Sequence, residues 1–184
     1  MNRAETSREF SICLRPDAAT AQDVLRLRQQ LPDSPYRDDP PHVSLLRGIT
    51  TPVAYSDDEL LQKVERVCNL TEKLPLSATI DRLTNKSNQF YSESSIISFH
   101  LSSEFTRLWQ QTIHLLHQND FAIEESETKS FSPHMTVRLG VPLKQRPLSE
   151  AQNLFAGKAV KFSSWCIFRL YIEDQARLIR VISR

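Results

Sequence analysis

Two short stretches of this chain place the same residue types at the same spacing. Residues 41–48 read PHVSLLRG and residues 133–140 read PHMTVRLG. Each is a proline, a histidine, an apolar residue and a hydroxyl residue, closed by a glycine six places after the histidine. The chain has five histidines and three glycines, and two of each fall at equivalent places. An imidazole titrates near neutrality, so a pair of them can divide proton removal and proton delivery between them. On a strand, residues two apart project to one face. His42 with Ser44, and His134 with Thr136, therefore each present an imidazole beside a hydroxyl, while Val43, Leu45, Met135 and Val137 turn toward a core. If the two copies face each other across a pseudo-two-fold axis, two imidazoles flank one cavity with two hydroxyls between them. Such a cavity suits in-line displacement at phosphorus. One neutral imidazole takes a proton from water, the other as imidazolium protonates the departing sugar oxygen, and the hydroxyls donate to the non-bridging oxygens. No metal is needed, and neither metal nor cofactor is expected. A lone histidine at the start of a strand is ordinarily only a polar sheet end; the repetition points to chemistry.

The elements that must position these residues follow from periodicity. Phe10, Ile12 and Leu14 alternate with polar positions as in a half-buried strand. Asp17 caps a helix carrying Val24, Leu27 and Leu31 on one side, which Pro32 closes. After a proline-rich loop comes the first motif strand, His42 to Gly48. Ser56 and Glu59 have capping-box spacing and open a second helix with Leu60, Val64 and Val67 inward. Strands over residues 76–83 and 95–101 precede a third helix that buries Phe105, Trp109, Thr112 and Leu116. A short strand near residues 121–123, the second motif strand over His134 to Gly140, a helix capped by Ser149 and ended by Gly157, and a β-rich tail complete the chain. The order strand, helix, strand, helix, strand occurs twice, over about residues 8–93 and 94–184, so a single α+β domain of duplicated organisation is expected.

Composition narrows the partners. Of 184 residues, 23 are basic and 22 acidic, for a formal charge of +1, so a grip on extended DNA through many phosphates is not expected. Hydrophobic residues make up 40%, enough for a normal core, and no apolar run is long enough to cross a membrane. Three widely spaced cysteines and a polar N-terminus without a secretory signal pattern fit reduced thiols in a cytoplasmic protein. Three glycines are too few for a glycine-rich phosphate loop or a dinucleotide fold.

With its paired His-x-Ser and His-x-Thr motifs, the chain resembles the two-histidine (2H) phosphoesterase superfamily over nearly its whole length. It looks most like the plant- and fungal-type 2′,3′-cyclic nucleotide phosphodiesterases, with the 2′-5′ RNA ligase branch next. The resemblance implies a bilobal fold in which two antiparallel sheets face each other across a central cleft with helices outside. It implies metal-independent hydrolysis of a 2′,3′-cyclic phosphodiester on a nucleotide or short RNA 3′ end, giving a 2′-phosphate. By the same resemblance His42 and His134 are catalytic, with His134 the base toward water and His42 the acid, and Ser44 and Thr136 bind phosphate. The chain is expected to act as a monomer. RNA-end processing or 2′-5′ RNA ligase-like activity, and a non-catalytic nucleotide-binding module, are the competing functions.

Other residues are candidates for substrate contact. Arg138 shares the strand face of His134, Tyr91 falls in a polar connection where a ring could stack on a base, Phe131 precedes the second motif, and Trp165 lies on the less apolar face of the tail. Arg47, five places after His42, faces away from the cavity unless its strand is bulged or ending. His114 and His117 fit a solvated helix face, and His100 an exposed strand position.

Overall fold

The computed structural model describes residues 9–30, 39–51, 55–71, 74–86, 94–100, 102–138, 145–170 and 176–183. β1 (Glu9–Pro16) turns Phe10, Ile12 and Leu14 into the core. Asp17 then caps α1 (Ala18–Gln29), its Oδ1 accepting from the Thr20 amide at 2.9 Å. β2 (Val43–Thr50) carries the first motif. α2 (Asp57–Leu70) opens with the reciprocal capping box: the Ser56 amide donates to Glu59 at 2.8 Å, and the Glu59 amide donates to the Ser56 hydroxyl at 3.3 Å. Asp57, Asp58 and Glu59 add negative charge at the helix start, where the backbone dipole favours it. Leu60, Val64 and Val67 are buried, and β3 (Leu76–Lys86) and β4 (Ser94–His100) follow. α3 (Ser103–Gln118) buries Phe105, Leu108, Trp109, Thr112 and Leu116.

The second motif lies on β6 (His134–Arg138), after a two-residue β5 (Ala122–Ile123) and a one-turn α4 (Glu125–Lys129) that periodicity does not predict. α5 (Gln145–Phe155) begins four residues earlier than its expected cap, so Ser149 lies within it. Pro147 is third in that helix, within the first turn, where a missing N–H breaks no intrahelical bond. β7 (Ala159–Leu170) and β8 (Ala176–Ser183) end the chain. Trp165 and Ile167 on β7 are wholly buried, so the tail face that reads as less apolar is the one packed into the main core. Among the described residues no helix is long and apolar enough to cross a membrane.

The strands run in the order β1-β2-β6-β4-β3-β7-β8, with β1 also paired to β7 and β5 to β2. Every pairing among the described residues is antiparallel. The two facing sheets are thus hydrogen-bonded into one barrel-like sheet, a closed ring of β1, β2, β6, β4, β3 and β7. Read outward from the β2–β6 contact, β1 and then β7 lie on one side, β4 and then β3 on the other. That order is what a two-fold relation between the halves would produce, and it supports the proposal that the chain is an internal repeat.

The register of β2 against β1 contains two bulges. Cys13 faces Ser44 and Ile12 faces Leu46, which leaves Leu45 as an extra residue; a second extra residue lies between Leu46 and Ile49. Gly48 occupies that second bulge with φ +57°, and its carbonyl accepts from the Glu124 amide at 3.2 Å. A side chain there would be left-handed, and its Cβ would stand 3.1 Å from both Cβ and Oε2 of Glu124. Gly48→Ala is therefore expected to lower stability by about 1–2 kcal/mol, the cost of a left-handed L-residue. An unchanged urea midpoint would show that the bulge relaxes freely.

Candidate active site

β2 and β6 meet at one paired position, Val43 opposite Met135. These two side chains are 1% and 0% exposed, so they belong to the core, and their neighbours along each strand must point the other way. Carrying the antiparallel register one step in each direction sets His42 across from Thr136 and Ser44 across from His134. All four line one cavity of about 210 Å³. The short seam has a cause in the sequence. Pro41 bounds it on one strand and Pro133 on the other, and a proline has no N–H with which to extend a ladder.

Each histidine is held the same way. The Nδ1 of His42 lies 2.9 Å from the carbonyl of Pro40, and that of His134 lies 3.1 Å from the carbonyl of Ser132. A carbonyl only accepts, so Nδ1–H donates in both rings, and in the neutral imidazole Nε2 keeps the free lone pair. In both copies the acceptor is two residues before the histidine, so one local turn fixes ring and tautomer alike. The His42 ring also packs against Phe168, with centroids 4.5 Å apart. Ser44 Oγ accepts from the Cys13 thiol at 3.8 Å.

Burial lowers the proton affinity of both rings below the ordinary value of 6.5. At His42 the Pro40 carbonyl opposes this, while the Arg28 and His134 charges add to it and Asp39 counters it. At His134 the Ser132 carbonyl and Glu127 oppose, while Arg47 and Lys86 add. At neutral pH the site therefore holds two neutral imidazoles, among nearby cations that favour an anion.

Arg47 and Arg28 supply much of that positive charge, and periodicity singles out neither. Arg47 lines the cavity because the extra residue Leu45 reverses the alternation of β2, the condition under which strand parity would admit it. Glu127 of α4 holds it, with an Nη2–Oε1 distance of 2.8 Å. Arg28 sits on the buried stripe of α1 with Val24 and Leu27. A cation at an inward helix position is the signal that would have found it. Asp39, Ser11, Cys13 and Phe168 complete the lining. Ser11 and Cys13 are the alternate positions to Phe10, Ile12 and Leu14, so β1 parity carried their orientation.

The remaining candidates fall elsewhere. Trp165 is 0% exposed in the core, which corrects its expected role as a substrate contact; Phe168, on the other face of β7, is the aromatic residue at the cavity. Phe131 stacks on Trp109 at 5.3 Å and packs against the core, so it is not among the cavity residues. Arg138 on β6 pairs with Ser95 of β4, and its side chain, like Tyr91, lies outside what the structure describes. His114 and His117 are exposed on α3, and His100 is exposed with Nε2 3.2 Å from Asp81. Cys13, Cys68 and Cys166 are buried, and none of the three is joined in a disulfide among the described residues. Among the described residues no three His, Cys, Asp or Glu side chains are grouped to hold a metal ion.

The profile of the 2′-5′ RNA ligase superfamily matches residues 16–169. No curated protein sequence matches the chain. Among solved structures, TT0787 of Thermus thermophilus aligns with a TM-score of 0.60 at 12% identity, covering 95% of this chain and 97% of the other. LigT of E. coli, crystallised with 3′-AMP, aligns at 0.57 and 10% identity over 96% and 98%. Usb1 of Kluyveromyces marxianus aligns at 0.52 and 12% identity over 97% and 99%. At these identities the likeness is one of fold, and it spans each chain almost completely.

The lowered histidines have a consequence for stability. Below 6.5 the unfolded chain binds protons that the folded site resists, so stability is complete above that value and is lost as pH falls toward the folded values. Unfolding free energies measured at about pH 7.5 and about pH 5.5 should differ less in a His42→Gln, His134→Gln double variant than in the unsubstituted chain. Equal differences in the two proteins would mean that these rings are not desolvated.

Proposed function

Because the chain belongs to the 2′-5′ RNA ligase superfamily, a 2H phosphoesterase group, we propose that it opens a 2′,3′-cyclic phosphodiester on a nucleotide or short RNA end and leaves a 2′-phosphate. The observation that carries this reading is the Val43–Met135 pairing, which brings two tautomer-fixed imidazoles and two hydroxyls to one cavity.

The step balances with these groups alone. A neutral Nε2 takes a proton from water as its oxygen bonds to phosphorus. The P–O bond to the sugar 3′ oxygen breaks opposite, and the other ring, as imidazolium, protonates that oxygen. Ser44 and Thr136 donate to the non-bridging oxygens, where charge grows. The substrate anion raises the proton affinity of the ring that must act as acid, offsetting the burial that keeps both rings neutral beforehand. The near-symmetric arrangement lets either ring serve as acid, and the direction follows from which sugar oxygen each one meets. A cavity of about 210 Å³ is smaller than a pocket enclosing a drug-sized ligand, so it suits the reacting end of a substrate whose remainder lies outside.

A second reading, processing of a longer RNA end, is favoured by Arg47 and Lys86 on the His134 side, where a neighbouring phosphate would be attracted. The neighbour crystallised with 3′-AMP supports a nucleotide as the ligand class under either reading.

All four 2′,3′-cyclic mononucleotides and a cyclic-phosphate-ended oligonucleotide should be assayed, with product position read by phosphorus NMR. His42→Ala and His134→Ala are each expected to lower kcat at least ~100-fold in a folded protein, with activity unaffected by a chelator. Since both rings titrate below 6.5 in the free protein, the kcat/KM profile should be bell-shaped with its maximum on the acid side of that value. Undiminished turnover by the double alanine variant overturns the reaction. Nucleotide binding without product favours a non-catalytic module, and a strong preference for the oligonucleotide favours RNA-end processing.

A further inference from the structure

Arg28 is a buried cation, 3% exposed, at the edge of the cavity. Its Nη1 donates to the carbonyl of Asp39, and its Nη2 donates to the carbonyl of Thr136 at 2.7 Å. Asp39 immediately precedes Pro40, whose carbonyl orients the His42 ring. Thr136 is the hydroxyl residue of the second motif. One guanidinium therefore joins the turn that aims His42 to the strand that carries Thr136. It does so just beyond Val43–Met135, where no further pairing among the described residues links β2 to β6. A guanidinium is a planar, rigid fork with a permanent charge, whereas an ammonium has the charge without the fork. Burying a cation is costly unless its surroundings compensate it, and at this cavity two carbonyls accept from the fork while the charge of Asp39 acts on it as well.

We propose that Arg28 is the positioning residue of this site, its fork setting the second motif against the first and its charge standing behind the reacting phosphate. This deepens the phosphoesterase reading and rests on it. The charged and titratable groups acting on His42 are Arg28 from α1, Asp39 from the turn before it and His134 from β6.

Two variants separate fork from charge. Arg28→Lys keeps the charge and loses the two-carbonyl fork. It should lower kcat roughly 10- to 100-fold, the scale of a 1 Å misplacement, with KM changed far less and the NMR titration of the His42 ring unmoved. Arg28→Met loses both: kcat should fall at least as far, and the His42 titration should move up toward its ordinary value while that of His134 stays in place. Thermal unfolding is followed for both, and if Arg28→Met does not fold, Arg28→Lys decides. Full kcat in Arg28→Lys overturns the clamp, and an unmoved His42 titration in a folded Arg28→Met overturns the role of the charge. If the unsubstituted protein turns over no cyclic phosphate, the proposed reaction fails, yet the titrations still test the place of Arg28 beside His42.

Discussion

The seam between β2 and β6 is the constraint on which the site depends. Among the described residues it consists of a single pairing, Val43 with Met135, because prolines before both histidines deny the ladder further donors. A longer ladder would run two continuous strands side by side. A seam this short brings the strands together at the motifs and lets the chain leave at once into the turns that carry Pro40 and Ser132. Those turns supply the carbonyls that hold the imidazoles. The proline in each motif thus ends the strand pairing, and the turn it begins orients the ring. Core packing of Val43 and Met135 decides which way the neighbouring side chains face.

Around this seam the electrostatics form one design. Burial keeps the imidazoles neutral, and the cations Arg28, Arg47 and Lys86 reinforce that neutrality. An anion entering the cavity reverses the balance, since it makes a protonated ring favourable where none was before. The charge on the chain as a whole is close to zero, so attraction is local, built from a few residues that converge.

Much of this is legible in the sequence where it rests on parity. The two motifs, the faces of β1, the cap of α2 and the stripe of α3 all follow from period two or period 3.6. Parity fails where a strand carries an extra residue. Leu45 is as apolar as its neighbours, and nothing local marks it as a bulge, so Arg47 reads as pointing away. Arg28 needs both the stripe of α1 and the loop near Asp39, which are separate in the sequence and meet only in the fold. Trp165 reads as a cleft residue because both faces of β7 are covered, Trp165 and Ile167 on one and Cys166 and Phe168 on the other all being buried, so alternation gives no sign of which one meets the cavity. Two facing sheets are the expectation, but their fusion is a matter of long-range pairing, which periodicity does not encode.

The dual role of β7 bears on how the chain matures. As residues emerge one by one from a ribosome, β1 precedes every other strand of the ring, yet its partner across Phe10–Arg169 arrives 159 positions later. Until then β1 presents an open edge, and the wall to which β7 contributes Phe168 is incomplete. Such a topology ties completion of the cavity to the closing of the ring. Partial chains that lack β7 would carry both motifs without the wall that closes around them.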